Sequence, residues 1–198
     1  GIVGVNNSLV GTKAEDQVGR GLQALPNGNY VIICPFWDDG ATLNTGAVTW
    51  VDGTTGLTGT IDINNSLLGR FAQDRIGLVS TNFPGTNTRA QVQVLSNGNY
   101  VLSSPFWGKT GPSSLEGAVT LLQADQPLSG RLTPEMSLTG SNVQDRIGLR
   151  GITVLNNGNY VVGSETWNAL RGATTWVNGT TGGAGLVVSA ENSIVGGT

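Results

Sequence analysis

The residues Asn27-Gly28-Asn29-Tyr30 recur unchanged at Asn97-Gly98-Asn99-Tyr100 and at Asn157-Gly158-Asn159-Tyr160. Each copy joins two runs of β-prone residues, which in the first copy are residues 22–25 and 30–33. Asn and Gly tolerate the positive φ of a two-residue type I′ turn, so an Asn-Gly pair between such runs is a strong hairpin signal. The sequence therefore predicts three β-hairpins with Asn-Gly pairs, at positive φ, at their tips.

A longer pattern surrounds each hairpin. Every unit begins with Asp-x-x-Gly, carries a Trp ten residues after the first Asn, continues with Gly-Ala-x-Thr and ends in a closing motif such as Asn-Ser-Leu-Leu-Gly. Four short strands repeated in tandem, with turn signals between them, are typical of propeller blades. We therefore predict an all-β fold of three consecutive four-stranded antiparallel units, built as β-propeller-like blades. The threefold count leaves a β-trefoil-like or β-prism-like arrangement as the alternative.

The chain is interpreted as one repeat domain, 1–198, with units at roughly 12–69, 70–140 and 141–196. Residues 1–11 contain a fourth copy of the closing motif, so they supply an extra closing strand. We expect either a segment of a longer tandem array or a ring closed by a strand from each end. Three blades are too few to close a propeller, and an uncovered edge strand invites pairing with another chain. Self-association is therefore expected, as in a dimer that closes a six-bladed ring.

The composition argues against several classes of function. The net charge is −3 and 12% of the residues are charged, so the chain has no electrostatic footprint for nucleic acid. No apolar run approaches the roughly 20 residues of a membrane span. The absence of histidine removes Ser-His-Asp and Cys-His arrangements, so we predict no catalytic residue and no cofactor. The single cysteine, Cys34, is interpreted as a small buried hydrophobic residue.

Three aspartates have two possible roles. Asp16, Asp74 and Asp145 are the first residues of the Asp-x-x-Gly motifs. An aspartate there can contact a ligand or an ion, or it can cap a turn by accepting backbone N–H bonds and so attach one unit to the next. The recurrence in every unit favours the structural role.

A calcium site is suggested in one unit only. Asp38-Asp39-Gly40 places two carboxylates together, and hard cations bind clustered carboxylate oxygens. The matching residues of the other units are Gly108-Lys109 and Asn168-Ala169, so no acidic loop recurs. We therefore predict no metal site.

The units differ in length at two places. The second unit has an insertion between Gly77 and Gln91, and all three units differ between the Trp and the Gly-Ala. In a four-stranded unit these two loops lie on one face, opposite the invariant Asn-Gly-Asn-Tyr turn. Variable loops on a constant scaffold are where recognition is usually located, so any binding site is expected on this face.

The repeated tryptophans lie beside these loops. An exposed indole is a common platform for a sugar ring, whereas packing between units is the alternative. Tyr30, Tyr100 and Tyr160, which follow the hairpin turn, are interpreted as packing residues. The candidate ligand-binding residues are Trp37, Trp107, Trp167, Asp38, Asp39, Lys109, Asn168 and Arg171.

The set of motifs resembles a known class of repeat. The combination of Asn-Gly-Asn-Tyr-Val, a Trp after the second strand, Gly-Ala-Val-Thr-Trp and Asn-Ser-Leu-Val-Gly is similar to the tandem repeats of about 60 residues in very large bacterial exoproteins of the filamentous-haemagglutinin or autotransporter type. The resemblance covers essentially the whole chain. It implies a secreted or cell-surface location and a part in adhesion.

Three classes of function follow from these observations. We expect a non-catalytic module for adhesion or binding, with glycans or another surface protein as its partner. A structural spacer or assembly repeat without a ligand is the first alternative. A glycan-active hydrolase using paired carboxylates is the second, and the dispersed acidic residues nominate no such pair.

Overall fold

The computed structural model describes residues 1–78 and 92–197, and it is mostly β. The insertion that contains Asn82-Phe83-Pro84-Gly85 lies outside the described residues. The strands are β1 (Leu9–Val10), β2 (Gly21–Ala24), β3 (Tyr30–Cys34), β4 (Ala47–Val51), β5 (Gly59–Thr60), β6 (Leu67–Leu68), β7 (Val92–Val94), β8 (Tyr100–Ser104), β9 (Ala118–Leu122), β10 (Ser137–Thr139), β11 (Ile152–Val154), β12 (Tyr160–Ser164), β13 (Ala173–Val177) and β14 (Ser193–Val195).

Twelve of these strands form three four-stranded sheets, one for each predicted unit. The strand orders are β2-β3-β4-β6, β7-β8-β9-β10 and β11-β12-β13-β14, and every pair is antiparallel. The prediction of three consecutive four-stranded antiparallel units is thereby confirmed. The described residues form neither a closed propeller nor a trefoil, because the three sheets stay separate and no strand pairing joins the first sheet to the third.

The hairpin turns differ in detail from the predicted ones. The N–H of Leu25 donates to the carbonyl of Asn29 at 2.8 Å, and the N–H of Gly28 donates to the carbonyl of Leu25 at 3.1 Å. Residues 26–28 are therefore a three-residue loop, a type I turn followed by a glycine at φ +92°, so the prediction of a two-residue type I′ turn was wrong. Only the glycine of each Asn-Gly pair has a positive φ.

The closing strands of the first and second units each join two units. Leu68 pairs antiparallel with Ala47 in its own sheet and forms a parallel bridge to Arg131 in the next unit. The N–H of Leu68 donates to the Gly130 carbonyl at 2.9 Å, and the Leu132 N–H donates to the Leu68 carbonyl at 2.9 Å. The bridge between Thr139 and Val187 and the β1–β5 pair repeat the same arrangement.

The hydrophobic core lies between neighbouring sheets. Val31 and Ile33 of β3 join a buried cluster with Val92 and Leu102 of the second sheet. The alternate residues of β3 point to the opposite face of the sheet, into a cluster that includes Trp37. The second sheet is buried on both faces, because Leu102 and Trp107 belong to the cluster shared with the first sheet, and Val101 and Val119 to the cluster shared with the third.

Helical structure is limited to single turns in the described part of the chain, as predicted. A 3-10 helix covers Pro134–Met136, and a one-turn helix covers Trp167–Leu170. None of the described helices is long and apolar enough to cross a membrane.

Replacing Gly98 with Val tests the hairpin turn. Gly98 has φ +90°, and a Cβ atom there would meet no other atom within 4 Å, so the penalty is one of backbone conformation. We expect the substitution to lower the free energy of unfolding by about 1 kcal/mol or more in urea denaturation. Gly111→Val is the matched control, because Gly111 is equally open and has no positive φ. Equal effects of the two substitutions would contradict the turn assignment.

Candidate functional site

The aspartate of the Asp-x-x-Gly motif is a buried hydrogen-bond acceptor. In the second unit, Oδ2 of Asp74 accepts the N–H groups of Arg70 at 2.7 Å and Phe71 at 2.8 Å. Oδ1 of the same carboxylate accepts the N–H of Gly108, the residue after Trp107, at 3.0 Å. The carboxylate thus connects the turn after the closing strand to the start of the variable loop.

The other two units repeat this arrangement. Each carboxylate accepts two N–H groups on Oδ2 and one on Oδ1, and all three carboxylates are buried. The donors are Thr12, Lys13 and Asp38 for Asp16, and Ser141, Asn142 and Asn168 for Asp145. The turn-capping role predicted for these aspartates is therefore confirmed, and each carboxylate bonds to donors of its own unit.

The same segment attaches the second and third units to the units that precede them. The N–H of Ile76 donates to the Thr45 carbonyl at 3.2 Å, and the N–H of Ile147 donates to the Glu116 carbonyl at 3.0 Å. A Cβ atom on Gly46 would lie 2.5 Å from the backbone nitrogen of Ile76, so only glycine allows this close approach. We call the buried aspartate and these backbone bonds the unit joint.

Burial dominates the electrostatics of the second joint. It raises the pKa of Asp74 from 3.8 to about 6, although the three N–H donors act in the opposite direction, and the nearby Glu116 adds to the rise. Burial would also raise the pKa of Glu116, but hydrogen bonds from the Ser114 hydroxyl, the Lys109 N–H and the Thr110 hydroxyl outweigh it, and the pKa is lowered. Glu116 is therefore held as a carboxylate that organises its own loop.

The three repeated tryptophans are core residues. Trp37, Trp107 and Trp167 are 3%, 1% and 6% exposed, and each belongs to a hydrophobic cluster. The alternative interpretation, packing in the core, is therefore the correct one for these residues. Their rings are buried, so they offer no face on which a sugar could stack. The buried Tyr100 and Tyr160 likewise fit the packing interpretation, whereas Tyr30 is half-buried.

The two candidate aspartates of the first loop are engaged in ion pairs. Asp38 lies 3.6 Å from the Lys13 ammonium, and its Oδ1 accepts the N–H of Asn44 at 2.7 Å. Asp39 pairs with the guanidinium of Arg131, a residue of the second unit. Asp38 therefore helps to fix the loop within its own unit, and Asp39 fixes the position of the loop against the next unit.

The remaining candidates lie in separate loops. The Lys109 N–H donates to Glu116, and the half-buried Asn168 has a left-handed backbone, with φ 49°. Asn168 lines an open cavity of about 650 Å³ together with Arg146, whereas Arg171 lines another of about 470 Å³. The structure does not bring the candidates of different units into one of these cavities, and ligand binding by the loops stays a prediction.

Two residues that organise the loops were not predicted from the sequence. Glu116 and Arg131 each occur in one unit only, so the repeat pattern gave no signal for them. Glu116 stands directly before the Gly-Ala of the second unit, where the first unit has Thr45. Its carboxylate accepts hydrogen bonds from within the second loop, as the carboxylate of Asp38 does in the first loop. An acidic residue at that position of a longer loop is the signal that could have found it.

Metal and thiol chemistry find little support among the described residues. No group of three or more His, Cys, Asp or Glu residues in this part of the chain could hold a metal ion. Cys34 is fully buried, as predicted, and burial raises the pKa of its thiol to about 11. The thiol is therefore protonated and shielded at neutral pH.

Asp145→Ala tests the unit joint. The substitution leaves the N–H groups of Ser141, Asn142 and Asn168 without their acceptor, so we expect a loss of about 3 kcal/mol in the free energy of unfolding. Urea denaturation measures it. The control is Asp125→Ala, at an exposed aspartate, which should change stability by less than about 0.5 kcal/mol. Similar stabilities of the two variants would show that the joint contributes little.

Trp107→Ala tests the core position of the repeated indole. Because Trp107 is buried between two units, we expect the free energy of unfolding to fall by about 3–5 kcal/mol. Trp176→Ala serves as the control, since that indole is 55% exposed and its loss should cost less than about 1 kcal/mol. If thermal melting of the Trp107 variant matched that of the wild type, the indole would not be a core residue.

Comparison with known proteins supports the repeat organisation. Residues 1–20, 24–78, 94–149 and 154–198 match the model of a family described as a repeat of unknown function, DUF5650. In each of the first three matches, the Asp-x-x-Gly motif stands near the end of the repeat. A search of curated proteins found no match. The chain, most of which is covered by these four segments, therefore belongs to the DUF5650 family of repeats.

Proposed function

We propose that this chain is a non-catalytic structural repeat module, which spaces and displays its variable loops. The observation that carries the proposal is that the recurring aspartates and tryptophans are engaged inside the fold. The buried aspartates accept backbone N–H groups, and the repeated indoles pack in the core. Groups that are repeated and also engaged inside the fold are suited to holding units in register.

The unit joints give the module a defined length. Each described boundary between units combines a parallel bridge from a closing strand with hydrogen bonds from the Asp-x-x-Gly segment. Because two separate elements cross each boundary, bending between units would break both at once. A spacer depends on this resistance to bending between units, and it does not require a ligand pocket.

A location outside the bacterial cell is part of the proposal. Only 12% of the residues are charged, and glycine is abundant, at 31 of 198 residues. These features and the resemblance to repeats of large bacterial exoproteins favour a secreted or cell-surface protein. The same evidence favours a non-enzymatic role, since the buried aspartates that a hydrolase would require are occupied by backbone donors.

The second candidate function is adhesion through the loop face. Loop length changes from unit to unit while the joints persist, which is the arrangement of a scaffold with variable recognition loops. Lys109, Asn168 and Arg171 are at least partly accessible on these loops. Their donors suit the hydroxyl groups of a glycan or the polar surface of another protein.

Small-angle X-ray scattering combined with a glycan array tests the proposal. At a concentration low enough to keep the chain monomeric, a spacer should scatter as a rigid particle whose profile matches the structure, and it should show no selective glycan binding. A profile that required independently moving units would contradict the spacer function. Selective binding that is lost in Lys109→Ala and kept in Asp125→Ala would also overturn it, and would favour adhesion through the loops.

A further inference from the structure

The outer face of the third sheet is exposed, whereas the equivalent faces of the first two sheets contact the following unit. In the first unit, Trp50 is half-buried, and its Nε1 donates to the carbonyl of Ala124 in the second unit at 2.8 Å. Leu121 occupies the same position in the second sheet, and a Cβ atom on Gly182 of the third unit would lie 2.9 Å from its Cβ. The matching residue of the third sheet is Trp176, which is 55% exposed.

The closing strands show the same difference. Leu68 and Thr139 each form a parallel bridge to the following unit. In β14, Ile194 is 80% exposed, and within the described residues this strand pairs only with β13. We call the surface formed by β14, Trp176 and the loop at Gly172 the tail face.

Gly172 on the tail face has the backbone conformation of the glycines at the two joints. Cβ atoms on Gly46 and Gly117 would lie 2.5 and 2.3 Å from the backbone nitrogens of Ile76 and Ile147 in the following unit. Gly172 keeps the same φ of +76°, yet the atom nearest to its Cβ would be 3.5 Å away, in its own unit. The backbone is therefore already shaped for a following segment.

The opposite end of the molecule carries the complementary surface. Val92 and Ile152 are 1% and 7% exposed, because the preceding sheet covers them, whereas the equivalent Leu22 of the first sheet is 67% exposed. We call the surface that contains Leu22 and the half-buried Tyr30 the head face. An open cavity of about 450 Å³ lies here between these residues and β1.

Polar groups on the two faces also match. Asn27 Nδ2 donates to the Ala124 carbonyl at 2.8 Å, and Asn97 Nδ2 donates to the Gly179 carbonyl at 2.9 Å, each across a unit boundary. On the tail face, Asn157 occupies the donor position. On the head face, the Gly53 carbonyl occupies the acceptor position.

We propose that the tail face binds the head face of a second copy of this chain, in a head-to-tail arrangement. The interface would reproduce the amide bond and the parallel strand bridge of the two that the chain already contains. Its apolar contacts would come from Trp176 and Ile194, since Gly163 and Thr174 stand where Ile33 and Val48 pack in the first unit. This inference deepens the proposed spacer function, because it extends the row of units. A head-to-tail contact uses different surfaces on the two partners, so it propagates into open filaments.

The N-terminal strand occupies part of the head face, where Leu9 packs against the buried cluster of the first sheet. β1 belongs to the segment Asn7-Ser8-Leu9-Val10-Gly11, which nearly repeats Asn192-Ser193-Ile194-Val195-Gly196 around β14. β1 pairs with β5 in the position that a closing strand of a preceding unit takes at the other boundaries. Binding of a second copy therefore exchanges β1 for the incoming β14, and association should be slow relative to diffusion.

Sedimentation velocity on two single-face variants tests the proposal. Leu22→Asp alters the head face, and Ile194→Asp alters the tail face; both side chains are exposed, so the fold should persist, which circular dichroism can verify. The wild type should form a concentration-dependent series of oligomers. Each variant alone should stay monomeric, because a carboxylate in the apolar contact weakens it about tenfold or more. An equimolar mixture should form a dimer only, through the one intact head and the one intact tail.

Leu43→Asp is the control, since Leu43 is also exposed but lies in the first variable loop, away from both faces, and this variant should associate like the wild type. A wild type that stays monomeric at every concentration would overturn the proposal. So would a variant that still dimerises alone, because that result indicates a head-to-head or tail-to-tail contact. Neither result would affect the scattering test of a rigid monomeric spacer, so the two proposals fail separately.

Discussion

A buried carboxylate that accepts three backbone N–H groups is the interaction on which the rest of this structure depends. Asp74 illustrates it: one oxygen closes the turn after the preceding closing strand, and the other fixes the residue that follows Trp107. Burying a carboxylate without hydrogen-bond donors costs too much free energy for a stable fold, so the carboxylate and its donors must become buried together. The geometry recurs at Asp16 and Asp145 and sets the same turn in each unit.

The hydrophobic core follows from this constraint. Two of the three hydrophobic clusters combine buried residues of adjacent units, so much of the core forms only when neighbouring sheets pack together. Stability in such an array comes from nearest-neighbour interfaces, and the outermost faces differ from the inner ones. The exposed Leu22 and Trp176 are the visible result, since their equivalents in the interior are covered.

Sequence periodicity predicted the sheets well and the side-chain environments less well. The recurring Asn-Gly-Asn-Tyr and the glycine-rich turns were enough to assign four antiparallel strands to each unit, because turn chemistry is local. The hairpin loop at Asn27 was predicted one residue too short, since Pro26 and its equivalents become part of a type I turn. The exposure of Trp37, Trp107 and Trp167 depends on how units stack, and a repeat pattern shows recurrence without showing which face is covered. Glu116 and Arg131, which occur once, carry no periodic signal.

Native-state hydrogen exchange tests the buried carboxylate most directly. The amide protons of Gly108 and Asn168 donate to Asp74 and Asp145 inside the protein, whereas the amide of Thr54 makes a bond of similar length to Asp52 on the surface. If the joints hold the units together, the first two protons should exchange only through global unfolding, and the Thr54 proton should exchange through local opening. Exchange of Gly108 and Asn168 as fast as that of Thr54 would contradict the account.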